Sequence, residues 1–179
     1  MADTEHPKIT VEKREHLIKL ISETIQKEGP NCNLNFIDVS HVTNMSHLFF
    51  NSQFTGDISR WDVSRVTNMS HLFWKSRFNG DISHWNVSNV VTMYGLFAYS
   101  QFNGDISQWN TSLVRDMAFM FLCSQFNGDI SQWDVSSATD MSWMFWRSQF
   151  RGDISRWEVS EDANMKLMFY GSPLELKNL

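Results

Sequence analysis

The sequence predicts an α/β solenoid of about six 24-residue coils, each a short parallel strand followed by a short helix, behind an N-terminal capping helix. Three ladders carry that expectation. Gly56, Gly80, Gly104, Gly128 and Gly152 step by 24 residues. Trp61, Trp85, Trp109, Trp133 and Trp157 share the interval, and so do Met45, Met69, Met93, Met117, Met141 and Met165. A unit this short cannot bury its apolar side alone, so each coil must stack on the next to make a core. The question of function then moves from a pocket to a long laddered surface.

Residues 1–9 read as a disordered lead-in, and residues 10–30 as the N-terminal capping helix. Val11, Leu17, Ile18, Leu20, Ile21 and Ile25 form a helical stripe, and Thr10 is a good N-cap type. Glu12 and Lys27 suit the two ends of the dipole, and Gly29-Pro30 ends the run. Residues 31–174 are the repeat array. Its first coil is degenerate: Ile37-Asp38-Val39-Ser40 aligns with Trp61-Asp62-Val63-Ser64 one period on. Residues 175–179 are a C-terminal tail, preceded by Leu174 in register with Phe54, Phe78, Phe102, Phe126 and Phe150.

The coil from Phe54 to Phe78 shows the expected order of elements. Gly56-Asp57-Ile58-Ser59 suits a brief strand that pairs in parallel with its neighbours. Trp61 and Val63 alternate in a second extended stretch, with Asp62 and Ser64 placed to bond turn amides. Asn68 and its equivalents Asn44, Thr92, Asp116, Asp140 and Asn164 are all N-cap types. Met69, Leu72, Phe73 and Ser76 then follow at i, i+3, i+4 and i+7, the inward face of a short helix.

The 179 residues suffice for one domain, and 42% of them are hydrophobic, enough for a sizeable core. The net charge of −5 argues against a nucleic-acid-binding surface, which is normally basic. Cys32 and Cys123 lie about four coils apart, roughly 20 Å at about 4.8 Å per coil, so both read as free thiols. The N-terminus has no apolar signal core and no run is long enough to cross a membrane, so the chain as written is expected in the cytosol. A cell-surface or secreted location is the alternative if a signal has been removed.

The motif F-x-G-D-I-S-x-W-[DN]-V-S-x-V-T-x-M-x-x-[LM]-F-x-x-S-x-F, over residues about 32 to 174, resembles the roughly 25-residue repeat of bacterial surface proteins and Mycoplasma-type lipoproteins, often grouped with BspA-type leucine-rich repeats. The resemblance implies a right-handed, leucine-rich-repeat-like solenoid that binds rather than catalyses. Many members are exported and associated with adhesion to host proteins. The chain as written is expected to depart from those, since it shows no signal peptide, lipobox cysteine or wall-anchor pattern.

Candidate sites follow from what varies along the ladders. The constant Trp, Met and Phe rows read as core. Asp57, Asp81, Asp105, Asp129 and Asp153 form a carboxylate ladder. One carboxylate per coil is sparse for calcium, which favours Asx bonding to each turn's own amides. Arg151-Gly152-Asp153 spells an integrin tripeptide, but its Gly-Asp belongs to the repeat. The slot two after each Met holds His47, His71, Gly95, Phe119, Trp143 and Leu167, and the slot after each helix Phe holds Phe50, Trp74, Ala98, Leu122, Trp146 and Tyr170. Large apolar residues that vary and lie off the inward stripe mark an interaction surface. Trp74, Phe119, Trp143, Trp146, Arg147 and Tyr170 are the candidate partner-binding residues. Mutual tiling of neighbouring coils, or self-association into a homo-oligomer, would also use them. Arg60, His84, Gln108, Gln132 and Arg156 make a second, polar ladder.

No nucleophile–base pair, phosphate loop or metal-ligand cluster stands out, so the expectation is a non-enzymatic protein-binding module without a cofactor or metal. An adhesin-like surface interaction is the first reading. An intracellular inhibitor, such as a phage- or plasmid-encoded antagonist of a host defence enzyme, is the alternative, and a self-assembling structural protein is the third.

Overall fold

In the computed structural model, residues 6–175 are described. They contain strand β1 (Ile9–Thr10), helix α1 (Arg14–Glu28) and strand β2 (Ile37–Asp38), with β1 parallel to β2. Beyond β2 the chain is a succession of turns and single parallel bridges.

Helix α1 packs one face into the core. Leu17 and Ile21 are buried, Leu20 and Ile25 are packed at its margin, and Ile18 points outward. Gly29 ends the helix with φ 92°, its N–H bonded to the Ile25 carbonyl at 2.9 Å. The helix starts later than its sequence suggests. Thr10 is not its N-cap: it lies in β1, its hydroxyl bonded to Asp38 at 3.4 Å, and extended Lys13 precedes the first turn. Residues 6–9 are not a disordered lead-in either. The His6 ring packs against Phe36 at 4.5 Å and lies 3.2 Å from Glu28, while the Ile9 N–H donates to the Phe36 carbonyl. These contacts anchor the segment on the first coil, and residues 1–5 lie outside the described part. Of the expected tail, only residue 175 is described.

The expected short helix in each coil is replaced by turns. Along residues 45–52 the amides alternate in direction. Those of Met45, His47, Phe49 and Asn51 donate to Asn68, Ser70, Leu72 and Trp74 in the next coil, at 2.7–3.1 Å. Those of Leu48, Phe50 and Ser52 close onto carbonyls three residues back. The same alternation recurs from Met69, Met93, Met117 and Met141. A helix would bond its later amides within its own segment and point its few free ones along its axis, so it could not supply bonds to the next coil at every second residue. So short a helix also has to meet a steep nucleation cost. The N-cap signal has a different meaning here: Asn68 accepts the Ser70 N–H at 2.8 Å, an Asx turn that starts the alternating run.

The expected strand at Gly-Asp-Ile-Ser is reduced too. A single parallel bridge, Asn33 to Asp57, falls there among the described residues, while the continuous row of bridges runs through Asn44, Asn68, Thr92, Asp116, Asp140 and Asn164. Near the Gly-Asp pair, side chains do part of the joining. Asn79 accepts the Asn103 N–H and Asn103 accepts that of Asn127, both at 2.7 Å.

Three aromatic rows run through the core, beside buried methionine and aliphatic rows. Phe49, Phe73, Phe97, Phe121 and Phe145 stack at 5.6–5.8 Å, and Phe54, Phe78, Phe102, Phe126 and Phe150 at 6.0–6.3 Å. The first row sits against the second at 4.2–4.7 Å in each coil. The third row is tryptophan for a reason that phenylalanine cannot meet. Each indole N–H reaches back one coil to a main-chain carbonyl: Trp61 to Leu34, Trp85 to Ile58, Trp109 to Ile82, Trp133 to Ile106 and Trp157 to Ile130, at 3.0–3.3 Å. The repeated glycine follows from the same packing. The Phe78 ring folds back over Gly80 so closely that a Cβ there would lie 2.8 Å from it.

The last coil is more open. A cavity of about 390 Å³ lies over Ile154, Trp157, Val159, Met165 and Phe169, with Leu174 on its wall.

Candidate binding surface

Outside the core, the alternating turns carry a second set of rings. Bonding every other amide to the next coil requires left-handed backbone at two positions per coil. His47, His71, Phe119, Trp143 and Leu167 occupy the first, with φ 54–63°, and Gly95 takes it once. Asn51, Lys75, Tyr99, Cys123 and Arg147 occupy the second at φ 50–55°, with Gly171 in the last coil. This conformation costs a non-glycine residue about 1–2 kcal/mol, and for bulky side chains it is a true outlier.

The rings on these turns form a continuous band. From Phe50 it passes to His47 at 5.6 Å, to His71 at 4.6 Å, to Tyr94 at 4.9 Å and to Phe119 at 5.2 Å. It continues to Trp143 at 5.8 Å, Trp146 at 5.5 Å and Tyr170 at 6.3 Å. Trp74 branches from His71 at 4.9 Å and meets Tyr99 at 5.5 Å. Gly95 makes room for that branch, since a Cβ there would stand 2.7 Å from the Trp74 ring. The Arg147 guanidinium lies 4.4 Å over Trp146, and the Lys75 ammonium 5.6 Å over Tyr99.

All six residues singled out in the sequence meet in this band. Trp74, Phe119, Trp143 and Trp146 are half-buried by their neighbours, while Arg147 and Tyr170 are exposed. Tiling and exposure therefore coexist. Sequence reasoning missed Lys75, Tyr94 and Tyr99, which sit one and six residues after a Met. Helical spacing gave no reason to join those positions to the others; the turn geometry does.

Several groups in and around the band are displaced from their ordinary titration. Burial lowers His71, and the neighbouring His47 adds to it. The His71 Nδ1 is buried without a hydrogen-bond partner among the described residues. Burial raises Asp116, against the bond from the Ala118 N–H, and Asp140 raises it further. Burial also raises the Tyr94 phenol, with Asp116 and Asp140 acting in the same direction.

The other candidates resolve into local structure. Asp57, Asp81, Asp105, Asp129 and Asp153 each accept the N–H of the serine two residues on, all at 2.9 Å. Serine hydrogen bonds hold Asp81, Asp105 and Asp129 below the usual carboxylate range, and in Asp57 the same bonds outweigh the upward pull of burial. Among the described residues no group of three or more His, Cys, Asp or Glu is placed to hold a metal ion. Arg60, His84, Gln108, Gln132 and Arg156 are all exposed, and Gln108 and Gln132 bond their neighbouring serines at 3.3 and 3.2 Å. Cys32 and Cys123 are free thiols. Among the described residues no helix is long and apolar enough to cross a membrane.

A 24-residue period, amide bonds from each coil to the next and stacked core rows define a repeat protein. The model of DUF285, described as Mycoplasma protein of unknown function, matches twice, over residues 19–121 and 96–178, and the chain belongs to that family. No curated protein and no solved structure matches it.

Proposed function

We propose that this chain is a non-enzymatic protein-binding module, a right-handed solenoid whose aromatic band is the contact face, used in an adhesin-like surface interaction. The carrying observation is the cluster of large rings on strained backbone. Glycine fills the left-handed positions at Gly95 and Gly171, yet His71, Phe119 and Trp143 stand at the equivalents of Gly95. The fold needs left-handed backbone there but glycine meets that need without strain, so rings kept at these positions point to use. Aromatics clustered with an arginine are also the composition of binding hot spots. The face is held by coil-to-coil amide bonds, so a partner would meet it already ordered, with little entropy left to lose.

The test compares the full chain with Trp143→Ala/Trp146→Ala in parallel capture from host-cell surface extract and from cytosol. A stoichiometric protein held by the wild type and lost with the variant, while the variant's circular dichroism is unchanged, supports the reading. Its appearance only in the surface extract supports the adhesin-like role. Equal capture by both chains contradicts the assignment of the face. A concentration-dependent rise in sedimenting mass that the variant abolishes would replace it with self-association.

A further inference from the structure

Lys75, Tyr99, Cys123 and Arg147 hold one position in four successive coils. Each has left-handed backbone, and each donates its N–H to the following coil at 2.8 Å. Lys75, Tyr99 and Arg147 are exposed and Cys123 is half-buried. The row therefore reads cation, phenol, thiol, cation along the edge of the aromatic band. The ion pairs among the described residues all fall within residues 6–38, so none of the described carboxylates lies within 4.0 Å of Lys75 or Arg147. Exposed Arg77 adds a third cation close to Lys75 in sequence. In a chain of net charge −5, this edge is a local excess of unpaired positive charge beside exposed rings.

Resting on the reading of the band as a protein-binding face, we propose that this row seats an extended acidic polypeptide segment of the pattern acidic–x–apolar–x–acidic. Three coil steps separate Lys75 from Arg147, about 14 Å at about 4.8 Å per step. An extended chain rises about 3.3 Å per residue, so carboxylates about four residues apart reach both cations. Residues four apart share one face of an extended chain, and the residue midway shares it too. That middle side chain comes to rest over Tyr99 and Cys123. A helix does not fit: at about 1.5 Å per residue the two carboxylates would be about nine residues apart and on opposite faces. Single-stranded nucleic acid is disfavoured because the rings of the band lie against one another, which takes up faces a base would need for stacking.

The test is a titration of the full chain at low salt with a synthetic peptide, acetyl-Gly-Ser-Glu-Ser-Leu-Ser-Glu-Ser-Gly-amide, followed by the indole N–H signals of Trp74 and Trp146. Two controls accompany it, one with the glutamates three apart and one with lysine replacing both glutamates. The expected result is saturable shifts with the first peptide, weakened about tenfold by Lys75→Glu/Arg147→Glu and by the altered spacing. The lysine peptide should bind the charge-reversed variant better than the wild type, which also shows that the variant is folded. Equal binding of all three peptides would overturn the proposal. So would the absence of peptide shifts alongside binding to phosphatidylserine vesicles, since that makes the row a lipid-headgroup site. If a captured partner depends on Trp143 and Trp146 but not on Lys75 and Arg147, this proposal fails and the broader reading of the band stands.

Discussion

At the scale of single residues, left-handed backbone and carboxylates in turns decide most of what is unusual. Lys75 carries φ 54° and is exposed, and Gly171 fills the same slot in the last coil. Lys75→Gly removes about 1–2 kcal/mol of local strain and restores about 0.5–1 kcal/mol of unfolded-state freedom. The net expectation is about 0.5–1 kcal/mol of added stability, measured by urea unfolding with an unchanged slope. A loss of stability would show that the Lys75–Tyr99 contact outweighs the strain. In the bridge row, burial raises the titration of Asp116, and the neighbouring Asp140 raises it further. An acid with a raised folded pKa carries its full destabilisation above that pKa, and the penalty shrinks as pH falls toward its unfolded value near 3.9 and is gone below it. Asparagine already stands at the equivalent positions 44, 68 and 164, where it makes the same turn bond. Asp116→Asn is therefore expected to raise Tm at pH 7 and to lose that gain by about pH 3, followed by thermal unfolding across pH.

At the scale of the coil, the indole row joins each unit to the one before. Trp109 is buried, and its N–H bonds the Ile82 carbonyl at 3.1 Å. Trp109→Phe should keep most of the ring packing yet lose that bond, at a cost of about 1–3 kcal/mol in equilibrium unfolding. A cost near zero would mean that the Ile82 carbonyl is satisfied by its other donor, the Trp85 N–H at 3.1 Å. Much of this element was legible in the sequence. The Gly, Trp, Met and Phe rows carry their spacing openly, and the Asp–x–Ser pairs announce Asx turns. The conformation after Asn68 was not legible. Asx turns and helix N-caps use the same residues and the same N–H two positions on, and i, i+3, i+4 burial fits alternating turns as well as a helix. What separates them is where the odd amides go, and their acceptors lie a whole coil away. The left-handed slots were hidden for the same reason: Phe119 and Trp143 are poor residues for that conformation, so propensity points away from it. Trp143, Trp146 and Tyr170 could be picked out as a cluster, because they vary where the core does not. Tyr94 and Tyr99 join them only through the turn geometry.

At the scale of the whole molecule, the account rests on a stack rigid enough to present the band already ordered. The middle coils are tied by amide bonds from Gly95, Phe97 and Tyr99 to Ala118, Met120 and Leu122, and from Phe119, Phe121 and Cys123 to Ser142, Met144 and Trp146, all at 2.8–3.0 Å. Bonds of this kind open only when neighbouring coils separate, so they should report the cooperative stability of the array rather than local fraying. A surface that fluctuates would have to be ordered by its partner, at a cost to affinity. The decisive measurement is residue-resolved hydrogen exchange on the unbound full chain. The account predicts that the amides of Gly95, Phe97, Tyr99, Phe119, Phe121 and Cys123 exchange only at the rate set by global unfolding. Exchange of these amides within seconds, while helix α1 stays protected, would contradict the claim that the aromatic band is a preordered face.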